Sequence, residues 1–236
     1  MSSPSLKRVP PPPPAQPVLV ASTRVLLVDD HSLTRHGMRS LLLMDPRFEI
    51  CGEADNTPQA LELARQLTPD LAIVDISLPS TDGIELTKGL RALIPELRVL
   101  VVSMHDEDVY AERALRSGAM GYLSKQEACD ELISAVNCIL GGDVYVSGRV
   151  KSRMLQRMAH TRGGSGQLPV DALSDREIEV LQHIGNGYGT REIAVQLGLS
   201  VKTIDSYREH LKQKLNLATG SELIRYAIQW MRSQGP

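Results

Sequence analysis

An α/β domain built on a doubly wound, five-stranded parallel sheet, followed by a small all-α domain, is the architecture this sequence predicts. Three observations carry it. From Arg24 to about Gly141, short apolar runs of strand character alternate five times with segments of helical apolar spacing. From about residue 169 onward the pattern is helical only. Between the two, "TRGGSGQLP" is rich in Gly, Ser and Pro and reads as a flexible linker.

The elements follow in order. "RVLLVD" is a buried strand, and "SLTRHGMRSLLLMD" is a helix with Ser32 as its cap, stopped before Pro46. "FEICGEA" is the second strand. "TPQALELARQL" is a helix with a Thr57 cap and Pro58 at the first helical position. "DLAIVDI" is a strand rich in branched residues, and "DGIELTKGLRAL" is a helix ending near Pro95. "LRVLVVS", "DEDVYAERALRSG", "MGYLS" and "EACDELISAVNCILGG" complete the alternation, with Gly118 as a helix stop. Strands of this kind, joined by helices, make a parallel sheet covered on both faces. "GRVKSRMLQRMAH" has the pattern of a short helix. Beyond the linker come "SDREIEVLQHIGNG", "TREIAVQLG", "SVKTIDSYREHLKQKLN" and "SELIRYAIQWMRS", each opening near a Ser or Thr cap. Only the first of these has an acid at the capping-box spacing from such a cap.

Composition narrows the function. The 236 residues carry a net charge of −2, so a wholly basic nucleic-acid coat is excluded and any such contact must come from a local patch. Aromatic residues make up 3%, too few for a base-stacking platform. The three cysteines, Cys51, Cys129 and Cys138, are odd in number and lack a Cys-x-x-Cys pair. They read as reduced thiols of a cytoplasmic protein rather than a disulfide frame or a zinc site. No apolar run approaches the roughly 20 residues of a membrane span, so no membrane contact is expected. The opening "MSSPSLKRVPPPPPAQP" lacks the apolar core of a signal peptide and reads as a disordered, Pro-rich tail.

Two adjacent acids, Asp29 and Asp30, end the first strand. One acid there would be an ordinary strand end or helix cap; two in a row repel, and a cation would reconcile them. In an open α/β sheet, ligands bind beyond the carboxyl ends of the strands. The third strand ends at Asp75, the fourth at Ser103, and the fifth runs into Lys125. Three carboxylates, a hydroxyl and an ammonium on one edge fit Mg2+-assisted phosphoryl transfer. Asp30 and Asp29 would hold the ion, and Asp75 would help hold it and attack phosphorus. Lys125 would pair with a phosphoryl oxygen and Ser103 would donate to one. His31 and His36 read as helix-surface residues.

These residues resemble the receiver domain of two-component response regulators, through "LLVDDH", "LAIVDISLPSTDGIEL", "VLVVSMHDED" and "GAMGYLSK". The resemblance implies a flavodoxin-like fold and Asp75 as phosphoacceptor. It implies a metal site of Asp29, Asp30, Asp75 and the Ser77 carbonyl, with Lys125 pairing the phosphate. It also implies Ser103 and Tyr122 as switch residues; by spacing alone Tyr122 is an ordinary half-buried strand aromatic. "LPSTDG" departs from the family's common loop but keeps Pro79 and Gly83.

In the helical end, Ile193, Ala194, Leu197, Leu199, Ile204, Leu211 and Leu215 mark an apolar side around a turn at Gly198. Lys202, Thr203, Tyr207, Arg208, Lys212 and Lys214 lie on the other side, where cations and hydroxyls can meet DNA phosphates. The stretch "LSDREIEVLQHIGNGYGTREIAVQLGLSVKTIDSYREHLKQKLNL" resembles the LuxR-type helix-turn-helix. Asp205, Ser206 and Glu209 occupy groove-facing positions where many relatives differ. These acids can accept from cytosine or pair with Arg208 or Lys212 on the helix itself.

The whole chain beyond its tail thus resembles a NarL/FixJ-family regulator. The expected divisions are a tail over 1–22, a receiver over 23–142, a linker over 143–168 and a helix-turn-helix domain over 169–236. The resemblance implies a DNA-binding transcriptional regulator, phosphorylated by a sensor histidine kinase. It would bind double-stranded operator DNA as a homodimer, with the last helix, Ser221 to Ser233, as the dimer face. Its only catalysis would be its own Mg2+-dependent phosphotransfer and slow dephosphorylation. An aspartyl-phosphate hydrolase is the enzyme alternative, but position 77, where such enzymes usually carry a second Asp, is Ser. An interaction protein that ignores phosphorylation is the third class.

Overall fold

The computed structural model describes residues 22–78, 81–160 and 169–234. The Pro-rich tail, Pro79, Ser80 and the "GGSG" stretch lie outside these described residues. Strands β1 (Thr23–Val28), β2 (Phe48–Ala54) and β3 (Leu71–Val74) begin the sheet, separated by helices α1 (Ser32–Leu42) and α2 (Thr57–Leu67). A two-stranded hairpin, β4 (Ser77–Leu78) and β5 (Thr81–Asp82), leads into α3 (Gly83–Leu93). Then come β6 (Arg98–Ser103), α4 (Glu107–Arg116), β7 (Gly121–Ser124) and α5 (Ala128–Leu140).

The sheet order is β2-β1-β3-β6-β7, all parallel. Chain direction across the sheet therefore reverses between β1 and β3, the place where doubly wound folds bind ligands. Register makes the placement specific. Val28 stands opposite Val74, so Asp29 and Asp75 leave the sheet side by side. Ser103 stands opposite Ser124, which puts Lys125 one residue beyond it. Apolar layers cover both faces: Met38 and Leu42 of α1 join Leu132, Val136 and Ile139 of α5 on one. Ala60, Ala64, Leu86 and Leu90 of α2 and α3 cover the other.

Helix starts differ from the sequence reading by one residue at three places. Asn56, not Thr57, caps α2, accepting from the Gln59 amide at 2.9 Å. His31 holds the cap position of α1, and Ser32 is its first helical residue. Glu192 accepts from the Gly189 amide at 2.7 Å, so α8 (Thr190–Gln196) has its acid at the capping-box spacing once Gly189 is taken as the cap. Sequence marks the neighbourhood of a cap; which hydroxyl or amide fills it depends on the entering backbone.

After α5 the chain runs along the edge of β7. Tyr145 donates its amide to Met120 and accepts from Tyr122 at 3.0 and 2.9 Å. Helix α6 (Gly148–His160) follows, its Val150 buried against the core that contains Tyr110 and Ala111 of α4. Arg149 reaches Asp108 at 2.8 Å and Glu107 at 3.3 Å.

The helical domain begins with a 3-10 turn (Pro169–Ala172), then α7 (Asp175–Gly185), α8, α9 (Val201–Lys214) and α10 (Gly220–Gln234). Ser174 and Glu177 form a full capping box on α7. Gly198, at φ +63°, turns α8 into α9. Ile193, Ala194, Ile204, Leu211 and Leu215 are buried in its core, with Leu197 and Leu199 packed against it.

Candidate functional site

Lys125 is the centre of the pocket at the sheet edge. Its ammonium lies 2.8 Å from Asp75 Oδ2 and 2.7 Å from Asp29 Oδ2. Asp29 and Asp75 are buried, and Asp30 is half-buried. Burial pulls the Lys125 ammonium down, but the Asp75 and Asp29 carboxylates outweigh it and raise its pKa. Asp75 lies above the usual carboxylate range because burial outweighs Lys125. Its other oxygen, Oδ1, is buried and has no hydrogen-bond partner among the described residues. Such an orphan is costly unless something meets it.

The donor set explains what could. Ligand atoms of Asp29, Asp30, His31 and Asp75 lie within 4.8 Å of one another. A cluster of carboxylate oxygens suits a hard divalent cation, so these residues could bind a metal. His31 is a residue that sequence reading assigned to a helix surface. In the structure its Nδ1 lies 2.6 Å from Asp30 Oδ1, because the cap position of α1 folds it back toward the strand end.

Ser103 and Tyr122 meet through the backbone of one residue between them. The His105 amide donates to Ser103 Oγ at 3.2 Å, and the Tyr122 hydroxyl donates to the His105 carbonyl at 2.7 Å. Ser103 and Tyr122 are both buried, and burial lifts the Tyr122 phenol far above its ordinary range. The His105 ring lies 2.8 Å from Ser77 Oγ and stacks on Tyr110 at 4.7 Å. No sequence signal singled out His105, since its partners are 28 residues away on another loop and 5 residues on in α4.

Helix α9 presents Lys202, Asp205, Ser206 and Glu209 to solvent, with Thr203, Tyr207 and Arg208 half-buried. Lys212 pairs with Glu209 at 2.9 Å, the local pairing that spacing allowed. Lys214 is held at 2.7 Å by Glu177 of α7, and Tyr207 packs against the core. Exposed cations and short polar groups on the second helix of this motif can meet DNA.

Comparison with known proteins decides the family. Residues 25–137 match the response regulator receiver domain, and residues 171–227 match the bacterial regulatory proteins of the luxR family. The chain belongs to the NarL/FixJ response regulators. It is 39% identical to a putative transcriptional regulator of Pseudomonas aeruginosa, over 87% of this chain and 97% of that one. It is similar to RcsB of Salmonella enterica serovar Typhimurium bound to promoter P1flhDC in the presence of phosphomimetic BeF3-. That likeness has 26% identity and a TM-score of 0.54, over 87% of this chain and 97% of that one. A structure of two RcsB dimers bound to two parallel DNAs matches at 27% identity and a TM-score of 0.54, over the same shares. Among the described residues no helix is long and apolar enough to cross a membrane.

In this response regulator the two domains touch. Arg113 of α4 donates to Asp175 Oδ1 at 2.7 Å and to the Leu173 carbonyl at 2.5 Å. Asp175 is 3% exposed, and its carboxyl is pushed up to about 7 by burial and the nearby Asp82 charge, against the pull of Arg113. The docked form therefore holds a proton that a solvated carboxylate gives up near 4. Between those values the docked form binds more protons, so this group's contribution to docking falls as pH rises from about 4 to about 7. His105, held below its ordinary range by burial, pulls the other way. The expected result is a difference between proteins. The radius of gyration of wild type, relative to Asp175→Asn, rises across that window by small-angle scattering. A constant difference would contradict it.

Proposed function

We propose that this regulator is switched by a phosphoryl group on Asp75, received from a sensor histidine kinase, and that it then binds operator DNA as a homodimer. The observation that carries the reading is Asp75 Oδ1, a buried oxygen without a hydrogen-bond partner beside the acid cluster, while Lys125 holds Oδ2. Oδ1 is free to attack phosphorus. The O–P bond forms as the donor's P–N bond breaks, and the electron pair leaves with the donor imidazole, which takes a proton from solvent. Lys125 already stands where it can pair with a phosphoryl oxygen, and Ser103, whose oxygen accepts from the His105 amide, has its own hydroxyl hydrogen to donate to another. Asp29, Asp30, Asp75 and the Ser77 carbonyl would hold Mg2+, which would supply neutralisation of the negative charge on the group in transfer. A cytoplasmic setting fits the free cysteines Cys51, Cys129 and Cys138.

The test is labelling by a small phosphodonor with and without Mg2+, followed by DNA binding with and without the label. Label that needs Mg2+ and tightens specific binding supports the reading. Absence of label, or label without effect on DNA, overturns it.

For α9, Lys202, Arg208 and Lys212 are assigned to phosphates, and Asp205, Ser206 and Glu209 to base edges. Lys214 reaches phosphate only by leaving Glu177. Removing one phosphate contact should weaken all sequences alike and lower the salt slope by about one. Replacing Ser206 or Asp205 should instead reorder the preferred sites, by roughly 1–3 kcal/mol for a base contact. Binding across a salt series, with scrambled competitors, checks both. An unchanged ranking in Asp205→Ala and Ser206→Ala would reverse the assignment.

A further inference from the structure

The exposed face of α9 is chemically one-sided. Asp205, Ser206 and Glu209 are all open to solvent, and none of them has a hydrogen to give outward. Asp205 and Glu209 are acids, and an ionised carboxylate only accepts. Ser206 has one hydroxyl hydrogen, and its Oγ spends it on the Lys202 carbonyl at 3.1 Å, which leaves the oxygen with lone pairs alone. Arg208 stands three residues beyond Asp205, a spacing that allows an ion pair on a helix. Among the described residues, however, Asp205 makes no ion pair and no side-chain hydrogen bond. Glu209 differs: Lys212 meets its Oε1 at 2.9 Å and fixes where that carboxylate stands. Cations bracket the face, exposed Lys202 before it and half-buried Lys212 after it.

Only two groups in the major groove donate, the N4 amino group of cytosine and the N6 amino group of adenine. Guanine N7 and O6 and thymine O4 accept, so an acceptor-only face laid on them sets lone pair against lone pair. A carboxylate pressed there would lose its water and gain no partner. Between the two donors, a carboxylate favours cytosine. Adenine carries its N7 acceptor beside N6, whereas the groove edge of cytosine has no acceptor of its own. Neutral Ser206 is repelled less by N7 and takes either amino group. Asp205 and Glu209 stand four residues apart, about 6 Å along the helix axis. That is just under two base steps of about 3.4 Å.

We propose that α9 reads exocyclic amino groups. Asp205 and Glu209 each accept from a cytosine N4, and Ser206 accepts from a cytosine or adenine amino group. Each stretch of operator under one α9 therefore carries two G·C pairs within about two steps of each other. This rests on the assignment of these three residues to base edges and adds which bases they select.

The experiment selects bound duplexes from a randomised pool with the full chain, both with and without Mg2+ and acetyl phosphate. In the preferred duplex, each selected cytosine is then replaced by 2-pyrimidinone, which is cytosine without its 4-amino group. The same replacement at a flanking G·C pair corrects for the weakened base pair. Binding is expected to weaken about tenfold or more at each of two positions and little at the flank. This arm uses the wild-type protein, so it does not depend on a variant that folds. Asp205→Asn presents an amide that suits adenine N6 and N7, and should move the selected pair at its position from G·C to A·T. Glu209→Lys suits guanine O6 and N7, and should put guanine where cytosine stood on the strand it reads. Selection of A·T at both positions by wild type would overturn the proposal, and so would full tolerance of the missing amino groups. If no sequence is enriched, the base-edge assignment falls and the proposal with it. If sequences are enriched and Asp205→Asn shifts them, yet removing the amino groups costs nothing, the assignment stands and the proposal alone fails.

Discussion

Asp75→Asn is expected to abolish Mg2+-dependent labelling while leaving the fold in place. The amide matches the carboxylate in shape, and Lys125 keeps its 2.7 Å contact to Asp29 Oδ2. What disappears is the anionic oxygen proposed to attack phosphorus. The variant should also be at least as stable as wild type at neutral pH without Mg2+. The sign follows from the raised pKa of Asp75, whose burial penalises the charged form. A carboxyl with a raised folded-state pKa loses stability as pH climbs above its unfolded value, and Asn carries no such charge. Asp30→Ala, which spares Asp75 but removes a half-buried member of the proposed metal site, should cut the same labelling to near background. Mass spectrometry of the labelled chain checks both, with thermal melts alongside. Label at wild-type level on Asp75→Asn would point to another acceptor.

Gly83→Ala is expected to damage stability and labelling together. A Cβ on Gly83 would sit 2.0 Å from the carbonyl oxygen of Asp75 and 2.8 Å from Ile76 Cα. Both obstacles are backbone, so neither can rotate aside. The Gly83 amide also donates to the Ile76 carbonyl at 2.8 Å, tying the start of α3 to the loop after β3. Relief requires pushing α3 off the segment that carries Asp75. Overpacking of this kind costs roughly 1–3 kcal/mol, at times more. A shift of about 1 Å at a reacting centre can cost about a hundredfold in rate. Denaturant unfolding gives the first quantity, and labelling rate per folded molecule gives the second. A variant with wild-type stability would show that the β3–α3 turn is looser than its contacts indicate.

Much of this was readable in the chain itself. Strands β1, β3 and β6 carry continuous apolar runs, Val25–Val28, Leu71–Val74 and Val99–Val102, and the alternation of strands with helices calls for a parallel sheet covered on both faces. Acids at the ends of two of them, with a serine and a lysine beyond two more, marked the pocket before any coordinates. The rest depended on contacts between distant segments. The β4–β5 hairpin is two residues per strand, too short for any periodicity. Arg113 and Asp175, 62 residues apart, each look like a solvated helix charge until the domains meet. Lys214 reads as a DNA contact by spacing, yet Glu177 on another helix claims it in this structure. His105 carries no motif of its own; its meaning comes from partners such as Ser77 and Tyr122, which only the fold brings to it.

Tyr145 has a practical consequence for anyone dissecting the molecule. By pairing with β7 it covers one of the two outer margins of the sheet, and Val146 and Val150 bury themselves behind it. A fragment cut at the apparent receiver boundary near residue 142 would lose all three. It would present bare amides and carbonyls along β7 and an uncovered apolar strip beside α4, the ingredients of edge-to-edge aggregation. A fragment carried on through residue 160 keeps that margin closed and should stay monodisperse where the shorter one precipitates.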